Sequence, residues 1–254
     1  MGRLDGKVAI ITGGSGGIGR AAGRMFVSEG ADVLLVDLNE DALKEACAEI
    51  GSNRVDYCVA DVTSNADNER MVAKATEKFG GVDVFLANAG IEGDVLPIEA
   101  YDEDRFEQVM AVNVKGVFLG LKHTMPAMRE RGGGSVVITS SVAGVGGTPG
   151  LSAYVTSKHA VIGLMRTAAK EGAPDNIRVN TVNPSPVETR MMRSLEAGMS
   201  PDDVDAAKAS ISANIPMQRY GEPDEIAKVM LFLASDDSSW VTGSVQMADG
   251  GSTA

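Results

Sequence analysis

The sequence predicts an α/β fold in which helices cover both faces of a mainly parallel seven-stranded sheet. Seven short apolar runs recur along the 254 residues, separated by longer segments with helical spacing. Four of these runs are almost continuously apolar and rich in Val and Ile, as in strands that helices cover on both sides. Strand–helix alternation over the whole length is typical of a doubly wound sheet.

The elements can be assigned in order along the chain. The predicted strands cover residues 8–11, 33–36, 57–60, 84–87, 136–138, 177–182 and 244–247. The predicted helices cover residues 17–29, 40–50, 64–79, 102–130, 152–172 and 222–235. Because no linker or change of composition interrupts this alternation, we predict one domain over residues 1–254.

One segment, at about residues 184–216, contains no strand pattern but several Met, Ser and Ala residues. It follows the sixth strand, where an open α/β sheet places its ligand crevice. Long insertions in compact domains are often functional, so we predict a helical lid over a substrate. The alternative is a surface excursion without a role in binding.

The composition excludes several classes of partner. There are 23 basic and 35 acidic residues, which gives a net charge of −12 and disfavours nucleic acid or an anionic membrane as a partner. The apolar run at 8–11 is too short to span a membrane. Cys47 and Cys58 are isolated, as expected in a reducing cytoplasm. His123 and His159 are not at metal-ligand spacing, so no metal is predicted.

A glycine-rich turn joins the first strand to the first helix. Residues 12–20 read Thr-Gly-Gly-Ser-Gly-Gly-Ile-Gly-Arg, and two glycine patterns of dinucleotide sites fit them. Glycines let the backbone approach a pyrophosphate, and the helix N-terminus offers it unpaired N–H groups. A tight turn without a ligand is the alternative. The residues predicted to contact the cofactor here are Gly13, Ser15, Gly16, Gly17, Ile18 and Gly19.

An acidic residue, Asp37, ends the second strand. Its carboxylate can accept hydrogen bonds from the ribose hydroxyls of adenosine and repels a 2′-phosphate. No Arg or Lys follows in Leu38-Asn39-Glu40. We therefore predict that Asp37 and Leu38 belong to a site for NAD rather than NADP. Asp37 could instead cap the next helix.

A phenol and an ammonium group, Tyr154 and Lys158, are four residues apart and share a helix face. We expect the cation to lower the pKa of Tyr154, which would make it a general acid/base. Ser140 and Ser141 end the fifth strand, where a hydroxyl could bind a carbonyl oxygen. Asn113 lies within an apolar helical stretch and, taken alone, is better explained as a core amide.

These motifs together resemble the short-chain dehydrogenase/reductase family, a Rossmann-type fold, over essentially the whole chain. The resemblance assigns a catalytic tetrad: Asn113, Ser141, Tyr154 and Lys158. Ser141 is preferred to Ser140 because it precedes Tyr154 by thirteen residues. The resemblance also implies cofactor contacts at Asp61, Val62, Asn88, Ala89, Gly90, Pro184, Val187 and Thr189. Where the family usually has glycine after the proline of this last segment, the chain has Ser185-Pro186, which stiffens the loop.

The resemblance further implies a mechanism and an assembly. Hydride passes between the nicotinamide and a carbinol or carbonyl carbon, and Tyr154 exchanges the hydroxyl proton. Ser141 orients the substrate oxygen, Lys158 binds the nicotinamide ribose, and Asn113 holds a water in a proton relay. A homotetramer or homodimer is implied, with helices near 102–130 and 152–172 at one interface.

The predicted activity is that of an NAD-dependent alcohol dehydrogenase/ketoreductase acting on a small to medium, mostly apolar secondary alcohol or its ketone, cyclic ones included. The pocket residues are predicted to be Glu92, Val142, Ala143, Leu151, Met191 and Met192. Two alternatives stay open: an NADPH-dependent 3-oxoacyl-(acyl-carrier-protein) reductase, and a non-catalytic dinucleotide-binding protein. Few basic residues near the lid disfavour the first, and an intact tetrad disfavours the second.

Overall fold

The structure, a computed structural model, describes residues 2–200 and 202–254. Seven strands form one parallel sheet in the order β3-β2-β1-β4-β5-β6-β7, which confirms the predicted doubly wound topology. The strands are β1 (Val8–Thr12), β2 (Asp32–Asp37), β3 (Val55–Val59), β4 (Val84–Ala87), β5 (Gly134–Thr139), β6 (Ile177–Pro184) and β7 (Val245–Ala248).

Nine α-helices are present in the described part of the chain: α1 (Gly17–Ser28), α2 (Glu40–Ile50), α3 (Asn65–Phe79), α4 (Glu103–Met110), α5 (Gly116–Glu130), α6 (Ser152–Gly172), α7 (Arg190–Met199), α8 (Val204–Ala213) and α9 (Pro223–Ala234). The predicted helix at 102–130 is not a continuous α-helix. A π-helical turn, Ala111–Lys115, separates α4 from α5. Such turns widen a helix locally and occur frequently at functional sites.

The sheet separates two hydrophobic cores. Neighbouring residues on β1 point to opposite faces, so that Ile10 belongs to one core and Ile11 to the other. The same alternation places Val136 and Val137 of β5 in different cores. Burial on both faces explains why these strands read as unbroken apolar runs.

The segment after β6 leaves the sheet and forms α7 and α8, so its predicted helical content agrees with the structure. The chain then returns at Tyr220-Gly221, where an isolated parallel bridge pairs Val187 with Gly221. Within the described residues, no helix is long and apolar enough to cross a bilayer.

Candidate active site

The glycine turn between β1 and α1 is closely packed and ends in an uncapped helix. Gly13 has φ +64°, and a Cβ on Gly19 would overlap the carbonyl oxygen of Gly13. Gly16 precedes α1 and makes no side-chain cap, so the first N–H groups of α1 have no side-chain partner there. A Cβ on Gly16 would meet only Gly13 O, at 3.4 Å. A turn of this kind fits an anionic pyrophosphate.

The carboxylate of Asp37 faces the same turn. Its Oδ2 accepts hydrogen bonds from Ser15 Oγ at 2.6 Å and Ser15 N at 3.2 Å, and its Oδ1 accepts one from Leu38 N at 2.8 Å. The nearby Arg20 is held by Glu45 and Glu49 at 2.7 and 3.0 Å and does not pair with Asp37. Asp37 therefore presents its negative charge beside the turn without a cationic partner among the described residues. These groups together fit the adenosine half of a dinucleotide.

A hydrogen-bond network links the ends of β1, β4 and β5, and two of its members were not predicted as site residues. Thr12 Oγ1 accepts hydrogen bonds from the N–H groups of Asn88 at 3.0 Å and Ala89 at 3.2 Å. Thr139 Oγ1 donates to Asn88 Oδ1 at 3.1 Å. Thr12 and Thr139 are the last residues of β1 and β5, and this position at a strand end was the sequence feature that could have identified them as site residues. The network holds the chain at Asn88 and Ala89 against the glycine turn.

The predicted adenine pair, Asp61 and Val62, follows β3 at the same sheet edge. Asp61 Oδ1 accepts hydrogen bonds from Thr63 N and Thr63 Oγ1, both at 2.8 Å, so its carboxylate shapes the loop. Val62 packs against Gly116, where an added Cβ would lie 2.9 Å from Val62 Cγ2.

Asn113 lies in the π-helical turn and is only 2% exposed. It exchanges two hydrogen bonds of 2.9 Å with the backbone of Ile91, and its Nδ2 also donates to Ser157 Oγ at 3.0 Å. The side chain is therefore a satisfied amide that clamps the loop after β4. The predicted role in holding water stays a prediction.

Tyr154 and Lys158 lie on one face of α6, with Lys158 Nζ 5.3 Å from the centre of the Tyr154 ring. The expected lowering of the Tyr154 pKa is wrong for the protein alone. Burial raises the pKa of Tyr154 to about 12, hydrogen bonding by Ser141 opposes this, and the negative charge of Glu92 adds to it. Burial also lowers the pKa of Lys158 to about 8, because it disfavours the charged ammonium.

The two adjacent serines have different surroundings. Ser140 is buried and donates to the carbonyl oxygen of Lys158 at 3.0 Å. Ser141 is partly exposed, accepts from Ala143 N at 3.1 Å, and lies close enough to Tyr154 to act on its pKa. This difference favours Ser141 as the serine that meets a substrate. Asn183 Nδ2 donates to Ser141 O at 2.9 Å and fixes its backbone.

The loop after β6 turns back over the glycine turn. A Cβ on Gly17 would lie 3.2 Å from Thr189 Cγ2, so the two segments predicted to hold the cofactor are in contact. Pro184 ends β6, and Val187 is buried. Ser185 does not have a positive φ, so the backbone here does not need the glycine that is usual in the resembled family.

The predicted pocket residues come from three segments that meet. Leu96 of the loop after β4 pairs with Leu151 before α6, and a Cβ on Gly198 of α7 would lie 2.9 Å from Val95 Cγ2. Ala143 and Leu151 are buried, and the remaining predicted pocket residues are partly buried: Glu92, Val142, Met191 and Met192.

Sequence comparison identifies the family. A family model described as Enoyl-(Acyl carrier protein) reductase matches residues 13–253. The chain is 40% identical to levodione reductase from Leifsonia aquatica, covering 99% of this chain and 96% of that protein. It is 41% identical to 3-oxoacyl-[acyl-carrier-protein] reductase FabG from Thermotoga maritima, covering 98% of each.

Solved structures agree with this result. The crystal structure of levodione reductase has a TM-score of 0.96 at 39% identity, covering 98% of each chain. An NAD+-bound xylitol dehydrogenase has a TM-score of 0.91 at 37% identity, covering 98% of this chain and 99% of the other. The chain belongs to the short-chain dehydrogenase/reductase family, as predicted, and its matched relatives are oxidoreductases.

Proposed function

We propose that the protein is an NAD-dependent oxidoreductase that interconverts a secondary alcohol and its ketone. The observation that carries this proposal is the position of Tyr154 beside Ser141 and Lys158, at the sheet edge that also bears the glycine turn. A proton donor is not needed for binding alone, so this arrangement favours catalysis over the non-catalytic alternative.

Each side chain has a defined task in this proposal. Bound NAD would supply the hydride acceptor or, when reduced, the donor. Ser141 hydrogen-bonds the substrate oxygen, and Tyr154 Oη takes or returns its proton. Lys158, which donates to Thr139 O at 2.8 Å in the protein alone, binds the nicotinamide ribose. Asn113 positions Ile91 and connects the site to water.

The cofactor preference rests on charge. Asp37 repels a 2′-phosphate, and Arg20 is engaged by two glutamates. Gly16 has no side chain, so it leaves open space at the turn and supplies no positive charge that could bind a 2′-phosphate. The NAD+-bound xylitol dehydrogenase supports the same preference by similarity. We therefore propose NAD as the working cofactor.

The main alternative is an NADPH-dependent 3-oxoacyl-(acyl-carrier-protein) reductase, because the chain is equally similar to FabG. Such an enzyme needs cations for the second phosphate and the carrier. Of the two arginines that begin the lid, Arg193 is already paired with Glu188 and Glu196, at 3.1 and 2.9 Å. Only Arg190 is left without a salt bridge within the described residues. The charges therefore favour the small alcohol.

We also infer a homotetramer or homodimer, since α5 leaves Phe118 half exposed at the predicted interface. Size-exclusion chromatography with light scattering tests the assembly.

The two thiols, Cys47 and Cys58, are free, which is consistent with a reducing cytoplasm.

The decisive experiment measures turnover of a panel of secondary alcohols with NAD and NADP. Replacing Tyr154→Phe should lower kcat roughly 10²- to 10⁴-fold, the usual contribution of a positioned acid/base, while NADH still binds. Tyr57→Phe is the matched control, because that phenol lies on β3 and bonds Glu40 at 3.1 Å. Full activity in Tyr154→Phe, or faster turnover with NADP, contradicts the proposal.

A further inference from the structure

An aromatic side chain, Tyr220, lies where the chain returns from the predicted lid, and two cations approach its ring. Arg193 Cζ of α7 is 5.6 Å from the centre of the ring, and Lys208 Nζ of α8 is 5.5 Å from it. A cation within about 6 Å of an aromatic face is attracted by the π electrons of the ring. One ring therefore interacts with both helices of the predicted lid.

Both cations are held near the ring by carboxylates. Glu188, in the loop before α7, pairs with Arg193 at 3.1 Å and with Lys208 at 2.5 Å. Glu196 of α7 is completely buried, and its Oε1 lies 2.9 Å from Arg193 Nη2. Because a buried carboxylate is costly without a nearby cation, these two carboxylates together restrain the guanidinium of Arg193.

The ring of Tyr220, and not its hydroxyl, makes these interactions. The residue is only 3% exposed, and its hydroxyl has no hydrogen-bond partner among the described residues. Since a buried hydroxyl that fixed this side chain would have a partner, the phenolic oxygen does not hold it in place. A phenylalanine could therefore keep the interactions with both cations.

The backbone next to Tyr220 is fixed to the loop before α7. Gly221 N donates to Pro186 O at 3.0 Å, and Gly221 O accepts from Glu188 N at 2.9 Å. These bonds involve no side chain, so they remain when the ring of Tyr220 is removed. Tyr220 thus belongs to the base from which α7 and α8 extend.

The other end of α7 reaches a segment that leads to the proposed catalytic residues. A Cβ on Gly198 would lie 2.9 Å from Val95 Cγ2, and a Cβ on Gly150 would lie 3.2 Å from Val95 Cγ1. Gly150 precedes Tyr154 by only four residues. A helix transmits a displacement along its length, so the interactions at Tyr220 help to set where α7 meets Val95.

We propose that Tyr220 is a positioning residue whose ring clamps α7 and α8 over the substrate site and so lowers KM for the alcohol. This inference rests on the proposed function, because it assigns the predicted lid to the same site. Arg193 and Lys208 supply the two cations of the clamp. Tyr220 itself takes no part in hydride or proton transfer.

The test compares Tyr220→Leu, which removes the ring, with Tyr220→Phe, which keeps it. In Tyr220→Leu, KM for cyclohexanol should rise roughly 5- to 30-fold, as for the loss of two cation–π interactions. Its kcat and its KM for NAD should stay within about twofold of wild type, because the backbone bonds at Gly221 remain. Tyr220→Phe should keep the wild-type KM for cyclohexanol.

Tyr57→Leu is the matched control, because it removes another cation–π interaction, with Lys74 at 5.3 Å, from β3. Its KM for cyclohexanol should equal that of wild type. If Tyr220→Leu does not fold, Lys208→Met replaces it, since it removes one cation from a side chain that is 35% exposed. An unchanged KM for cyclohexanol in Tyr220→Leu, or in Lys208→Met where that variant replaces it, overturns the inference. So does an equal rise in KM in Tyr220→Phe and Tyr220→Leu.

Limited trypsin digestion tests the clamp without activity. Cleavage after Arg190, Arg193 or Lys208 should be faster in Tyr220→Leu than in wild type and unchanged in Tyr220→Phe, because a released lid opens more often. Equal cleavage in all three proteins overturns the clamp and leaves the proposed function intact. A wild-type protein that oxidises no secondary alcohol contradicts the proposed function and with it the effect on KM, whereas the digestion still reports on the clamp.

Discussion

Asp37 offers a quantitative test of cofactor selection. A carboxylate has about four acceptor positions, and Ser15 and Leu38 already fill three of them through three N–H or O–H donors. One position is free for a ribose hydroxyl, and a second ribose bond would have to displace the Ser15 hydroxyl. The net gain is therefore about one charge-assisted hydrogen bond, worth about 1.5–3 kcal/mol.

Replacing Asp37→Ala should accordingly lower kcat/KM for NAD by about 10- to 150-fold, since each 1.4 kcal/mol is tenfold. It should also raise kcat/KM for NADP, because the charge that repels the 2′-phosphate is removed. Adding Gly16→Arg should raise it further, since the space at Gly16 is open.

The assay is steady-state alcohol oxidation at varied NAD and NADP, with melting temperature as a check on folding. Asp41→Asn is the control, because it removes the same charge from the neighbouring α2 at a side chain that is 98% exposed. An Asp37→Ala variant that keeps the wild-type ratio of NAD to NADP would refute the assignment of selectivity to this carboxylate.

Three other outcomes follow from the structure. Gly19→Ala should lower stability by roughly 3 kcal/mol, because its Cβ overlaps a backbone oxygen, while Gly16→Ala should leave the melting temperature unchanged. The rate of alcohol oxidation should increase from pH 6 to 10. The pKa of Tyr154 is raised to about 12, so the phenolate that acts as the base becomes more abundant throughout this range as the pH rises. A flat pH profile would count against Tyr154 as the base. Lys208→Met removes the salt bridge with Glu188 that joins α8 to the loop before α7. KM for the alcohol should then rise roughly fivefold, which corresponds to the loss of about 1 kcal/mol. An unchanged KM would argue against a lid.

The strands and most helices could be predicted because they depend on local patterns. Residues on β1 alternate between two cores, so an unbroken apolar run was a reliable sign of a central strand. The split between α4 and α5 could not be predicted. Asn113 lies in the π-helical turn and bonds the backbone of Ile91, which is 22 residues away, and no local pattern reveals such a contact.

The segment after β6, which we predict to be a lid, shows a similar limit. Its helical content followed from residue types, but its attachment depends on Lys208 reaching Glu188 and on the bridge between Val187 and Gly221. These are contacts between separate segments, and no spacing in the sequence specifies them. The glycine turn, by contrast, could be predicted from the sequence, because all of its glycines lie within one short stretch of the chain.

The sequence by itself determined the order of strands and helices, the glycine turn, and the placement of Tyr154 and Lys158 on one helix face, because each depends on neighbours within a few residues. Only the tertiary structure decided the electrostatics of the site. Burial raises the pKa of the phenol and lowers that of the ammonium, and the negative charge of Glu92, on another loop, adds to the raised pKa of the phenol. Desolvation and through-space charge depend on what surrounds a group in three dimensions, which its position along the chain does not reveal.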